Sequence, residues 1–239
     1  MTKSNNDRLI PLVQELKSFA FSQQASIGIM RTLGYGLLAL ALFDVIEIFF
    51  PPQFMNPAWE FQTLGALVER VPVPFIGFVL VFFGELHSRS KWELLLLKLF
   101  SWLCLLCAIF FMLSIPLGVM NTVRLNNQNI TQTQTLSKQQ FARAKQVEQQ
   151  LSQATPEQIN NFLKSQGNSL AAKKPEELKT ELLSQVTKAK EQIKTQSEVA
   201  QSSRGLSLLK SSVKWNLGAM VAATLFFSIW KSTSWARMN

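Results

Sequence analysis

The chain has 239 residues, 47% of them hydrophobic, yet its mean hydropathy is only +0.12. The 24 Lys and Arg against 15 Asp and Glu leave a net charge of +9, and fourteen of those bases with seven of the acids fall between positions 121 and 214. That polar stretch has only Phe141 and Phe162 as aromatics and no Gly-rich loop, which argues against a nucleic-acid partner.

Four apolar runs frame the polar stretch: Ile29–Phe50, Val73–Leu86, Trp92–Val119 and Trp215–Trp230. Lipid leaves no partner for an open backbone, so such runs are expected as helices, each near the length that crosses a bilayer. The predicted architecture is an all-α integral membrane protein. It has four transmembrane helices, with a long antiparallel helical hairpin inserted between the third and fourth. The expected parts are 1–28, a cytoplasmic segment; 29–120, three spans; 121–214, the extramembrane hairpin; and 215–239, the last span and tail.

Residues 9–24 read as an amphipathic surface helix. Pro11 suits its first turn, and Leu12, Val13, Leu16, Phe19 and Ala20 form its apolar stripe. The first span follows from Ile29 and stops at Pro51-Pro52. Asp44 and Glu47 lie three apart on one face of it, and ionisable groups within a span are candidates for function by default. Their position near one end favours a structural ion pair with Arg70. Proton relay or cation binding is the sharper alternative. In the first loop Asn56 can cap a helix and Pro57 open it, giving a short interfacial helix that ends before Pro72.

The only histidine, His87, follows the short second span and reads as a boundary residue rather than a ligand to pigment, haem or metal. Cys104 and Cys107 share one face of the third span among apolar neighbours, as small core residues do. Pro116 is expected to kink that helix. No cofactor and no metal is implied.

In the polar stretch, Leu178, Leu182, Val186, Ala189, Ile193, Gln196 and Ala200 recur at steps of four and three, a coiled-coil seam with a polar break at Gln196. The first half carries a weaker set: Phe141, Ala144, Val147, Leu151 and Ala154. Between them Thr155-Pro156-Glu157-Gln158 resembles a capping box opening a short helix through Ser165, ended by Gly167. Helices over 121–154 and 175–214 would be about 50 and 60 Å long, which matches two paired arms. Gly205 is expected to loosen the second arm. Gly218, Ala219, Ala222 and Ala223 permit close packing of the last span. The basic residues of the short segments gather at the termini and around Arg89 and Lys91, so both termini are expected in the cytoplasm and the hairpin on the lumenal or periplasmic side.

The block from Phe49 to Pro74, with Asn56-Pro57-Ala58-Trp59-Glu60 and Val68-Glu69-Arg70-Val71-Pro72-Val73-Pro74, resembles the signature region of cyanobacterial HpsJ-like membrane proteins. The resemblance covers roughly the first 120 residues, and the hairpin matches only in layout. It implies a thylakoid or plasma-membrane location and a link to hormogonium polysaccharide secretion and gliding. It brings no catalytic residues. The leading expectation is a non-enzymatic accessory or scaffold protein that contacts membrane lipid and a partner complex such as export machinery. An auxiliary subunit of a photosynthetic complex and a small transporter or channel component are the alternatives. The seam is also compatible with a homo-oligomer.

Overall fold

The computed structural model describes residues 3–84, 89–155, 157–158 and 175–238. The described residues form helices and no strand: α1 Lys3–Phe49, α2 Pro57–Arg70, α3 Pro72–Phe82, α4 Lys91–Gln153, α5 Pro175–Ser232 and α6 Ser234–Met238. Two compact units result, one of residues 1–121 with 211–239 and one of residues 122–210.

Three helices are long and apolar enough to cross a membrane: α1 over Phe21–Phe49, α4, and α5 from Lys179. The second run falls short of the expected span. Its helix ends at Phe82 after 11 residues, about 16 Å, and forms with α2 a pair bent by 41°. α3 ends where Phe83 turns extended, at φ −70° and ψ 137°, just ahead of Gly84 with its φ of +97°. His87 lies outside the described residues, as do the side chains of Leu12, Val13, Leu16, Ala20 and Leu178 and most of the tip helix with Gly167. The separate surface helix over 9–24 is replaced by one 47-residue helix, with Pro11 inside it and Phe19 exposed. Nothing between Gln24 and Ile29 stops a helix; Ala25, Ser26 and Ile27 are all compatible with one, and the single Gly28 is tolerated. α4 likewise continues through Pro116.

In the first unit, α1 and α3 meet backbone to backbone. A Cβ placed on Gly34 would stand 2.9 Å from the Gly77 carbonyl oxygen, and one on Gly77 2.9 Å from Leu38. α2 lies against α4 and α5. Gly65 sits under the Trp215 ring, Gly218 under Val68, and Phe61 packs on Trp215 at 4.6 Å between centroids. The core between α3, α4 and α5 holds Phe78, Cys104, Ala108, Phe111, Ala219, Ala222 and Phe226, with the Phe111 and Phe226 rings stacked. Small residues at these crossings are how helices approach closely where lipid removes the hydrophobic drive for packing.

In the second unit, Lys179 donates to the Ser152 carbonyl at 2.7 Å, and Lys190 pairs with Glu148 and lies over the Phe141 ring. A Cβ on Gly205 would stand 3.4 Å from Asn126, and α5 runs through this glycine without a break. Partner numbers on α4 fall as those on α5 rise. Leu182, Val186, Ala189, Ile193 and Ala200 are half-buried, but Gln196 is exposed and Ser197 takes its place. A straight helix of 3.6 residues per turn drifts off a strict heptad, and a step of four from Ile193 to Ser197 restores the facing line. For the same reason Val147 is exposed and Glu148 turned inward on α4, and Phe141 is only partly covered. Thr155 N–H donates to Gln158 Oε1 at 3.2 Å, the return bond of a capping box.

Candidate functional site

Two layers of polar side chains bracket the apolar part of the first unit. In one, Arg70 Nη1 donates to Asp44 Oδ1 at 3.0 Å and to Glu47 Oε2 at 3.2 Å, so the three residues singled out in the sequence come together. Asn121 donates to Glu60 at 2.8 Å, and Lys214 and Trp215 Nε1 both donate to Glu69 Oε1, at 2.5 and 3.1 Å. The bonds from Lys214 and Trp215 hold the Glu69 carboxyl below its ordinary pKa.

The second layer has no counterpart in the sequence reading. Arg31 donates to the Phe83 carbonyl at 3.2 Å and lies 4.0 Å from Glu93. Arg89, its side chain fully buried, bonds the Val81 and Phe83 carbonyls at 3.1 Å and reaches Glu93 at 3.5 Å. Tyr35 OH donates to the same carboxylate at 3.4 Å. Arg237 bonds Ser101 Oγ at 2.6 Å and lies over the Trp230 ring, and Ser101 meets Thr233 at 2.8 Å. The carbonyls that the arginines use are freed where α3 ends before Gly84. Arg31 and Asp44 are about 20 Å apart along α1, Ser101 and Asn121 about 30 Å along α4, and Lys214 and Trp230 about 24 Å along α5. These lengths are on the order of a bilayer's hydrocarbon core, about 30 Å.

A groove of about 580 Å³ opens between α1 and α4. Leu42, Leu103 and Phe110 line its mouth and are exposed; Val71, Phe78 and Phe226 form its floor. Asp44 and Arg70 stand at one end and the rings of Tyr35 and Phe100 at the other. Cys107 lines it as a half-buried apolar group, with Cys104 behind it in the core. The charged trio is accessible: side-chain exposure is 40% for Arg70, 39% for Asp44 and 74% for Glu47. The trio is therefore not enclosed by the rest of the protein.

The Asn56–Pro74 block proves to be a clamp. Asn56 Oδ1 accepts from Ala58 N–H at 3.1 Å, capping α2 behind Pro57. Trp59 packs between Phe49 and Phe54. Glu60 accepts from Met55 N–H with one oxygen and from Asn121 with the other. Glu69 and Arg70 then fasten the far end of α2 to α5 and α1. A sequence model of the family described as HpsJ-like protein matches residues 25–234. The chain belongs to the HpsJ-like family. Neither a curated protein nor a solved structure matches it significantly. The matched region of this HpsJ-like protein takes in both polar layers apart from Arg237, the groove and both long helices of the second unit.

Proposed function

We propose that this HpsJ-like protein is a non-enzymatic membrane accessory or scaffold protein. It crosses the bilayer four times, with α3 as a thin second crossing, and presents residues 122–210 as an antiparallel hairpin that recruits a partner complex. Support for α3 as a crossing is its course beside α1: Arg70 meets Asp44, Gly77 meets Gly34, and the Phe83 carbonyl meets Arg31. The opposite order of partners on α4 and α5 supports the hairpin. The layer with Arg31, Arg89 and Arg237 is the basic one, and the other holds four carboxylates with Arg70 and Lys214. That asymmetry favours cytoplasmic termini and a hairpin outside.

One observation carries the recruitment reading. Small and polar residues, Ala144, Ala189, Ser197 and Gly205, interrupt the apolar Leu182, Val186 and Ile193 on the facing line of the arms, while Val199, Leu206 and Leu209 stay exposed at heptad spacing on α5. A third helix would cover that stripe. The family resemblance makes polysaccharide-export machinery in a cyanobacterial thylakoid or plasma membrane the first partner to test. The test is native co-purification with wild type beside Leu206→Glu. Export proteins retained by wild type and lost in the variant support the proposal. Photosynthetic subunits lost in the same way would move it to the auxiliary-subunit alternative, and equal recovery with both would refute docking on this face.

A further inference from the structure

We propose that the loop joining α1 to α2, residues 50–56, is a membrane-interface anchor that seats Phe50, Phe54 and Met55 in the lipid headgroup–acyl boundary of the leaflet where α1 ends. Its outward side chains are large and apolar: Phe50 is 77%, Phe54 71% and Met55 86% exposed. No charged residue lies between Glu47 and Glu60. Met55 stands at a φ of 72°, where glycine would be the unstrained choice, so a bulky apolar side chain is held in the open at some cost. Trp59, packed between Phe49 and Phe54, braces the loop from behind.

The polar groups of the loop are turned to its own chain. Asn56 Nδ2 donates to Gln53 Oε1 at 3.1 Å, and Asn56 Oδ1 accepts from Ala58 N–H at 3.1 Å. The amides of Phe50, Met55 and Asn56 donate to the Glu47 carbonyl, Glu60 Oε1 and the Gln53 carbonyl, each at 3.2 Å. Pro51 and Pro52 have no N–H to satisfy. A loop closed on itself in this way gains little from bulk water. The Gln53 and Phe54 amides have no acceptor among the described residues, which keeps the backbone out of the hydrocarbon core. The headgroup–acyl boundary meets both conditions.

Two observations select lipid over a protein partner. Phe43, Ile46 and Phe50 recur at steps of three and four, all exposed, so the apolar face that a crossing α1 shows to lipid runs directly into the loop. A specific protein interface carries about one hydrogen bond per 100–200 Å², whereas this loop spends most of its bonding groups inward. Six residues, about 9 Å along α1, separate Asp44 from Phe50, which places the loop on the headgroup side of the polar layer.

The inference rests on α1 crossing the bilayer and on no other part of the proposed function. The test uses the full chain in vesicles of phosphatidylcholine and phosphatidylglycerol, with a nitroxide on Met55→Cys. Collisions with oxygen, which concentrates in lipid, and with a water-soluble nickel chelate report its depth. Labels on Leu40→Cys, on the exposed side of α1, and on Lys145→Cys in the second unit are the lipid and water references. The chain without an added cysteine, its Cys104 buried and Cys107 half-buried, supplies the background. Expected at Met55 is an excess of oxygen over nickel collisions, smaller than at Leu40, at a depth within about 5–10 Å of the headgroup–acyl boundary. Phe50→Cys should report the same depth and replaces Met55→Cys should that variant fail to fold. Nickel access at Met55 equal to that at Lys145 would overturn the anchor. Protection from both reagents would overturn it in favour of a partner protein or a second copy covering the loop. Nickel access at Leu40 as well would show that α1 does not cross, and the crossing and the anchor would fall together.

Discussion

Replacing Gly34 by alanine tests the close crossing of α1 and α3. The new methyl would stand 2.9 Å from the Gly77 carbonyl oxygen, the Val81 amide nitrogen and Val81 Cγ2, where ordinary contact begins near 3.4 Å. Two of those atoms are backbone and cannot rotate away, so the helices must part by about half an ångström. Overpacking of this kind costs about 1–3 kcal/mol. The helix preference of alanine over glycine returns about 0.5–1 kcal/mol. The net expectation is a loss of about 1–2 kcal/mol. Gly36, two residues on, is the internal control, because a Cβ there meets nothing within 4 Å. Gly36→Ala should be neutral or gain up to about 1 kcal/mol. Both variants are measured by reversible denaturant unfolding in mixed micelles, with thermal transitions as a check. Equal stability of the two variants would refute the claim that glycine at position 34 sets the helix distance.

Arg70→Ala should cost no more than about 1 kcal/mol, because its pairs with Asp44 and Glu47 are open; a loss of about 3–5 kcal/mol in the same unfolding assay would mean the trio is desolvated. Spin labels at Lys145 and Lys188, both exposed and opposite one another by the order of partners on the two arms, should give one narrow distance distribution consistent with helix axes about 8–10 Å apart. A broad distribution centred far beyond that would reject the hairpin. The lowered pKa of Glu69 means that its contribution is present above its ordinary value of 4.5 and is lost as pH falls through the lowered one. Lys214→Met should therefore flatten the fall in thermal stability below pH 4.5, and an unchanged acid limb would count against the Lys214–Glu69 bond.

The features legible in the sequence were those with a local cause. The Asn56-Pro57 start of α2 follows from capping and from proline's missing donor. The meeting of Arg70 with Asp44 and Glu47 followed from two acids on one helical face and one base beside the next apolar run. The layer around Arg31 was not legible, because Arg31, Arg89 and Glu93 come from three separate segments and bond carbonyls that exist only where α3 stops. The shift from Gln196 to Ser197 was missed because a heptad template assumes a supercoil, while the facing line follows a straighter helix. The groove has no sequence signal at all. It is a gap between α1 and α4, and gaps depend on where backbones stand.

The two polar layers also set a thickness. Along α1 only thirteen residues separate Arg31 from Asp44, about 20 Å, and α3 covers still less, while an average bilayer core is about 30 Å thick. Tilting a helix lets a long segment fit a thin membrane and only worsens the fit of a short one. In the proposed four-span arrangement the α1–α3 side would draw the lipid inward or stretch its charged side chains toward the headgroups, while α4, with about 30 Å between Ser101 and Asn121, would need neither. Such a lopsided hydrophobic belt would favour membrane that is already thin or curved, and bilayer thickness would then sort this chain without any recognised partner.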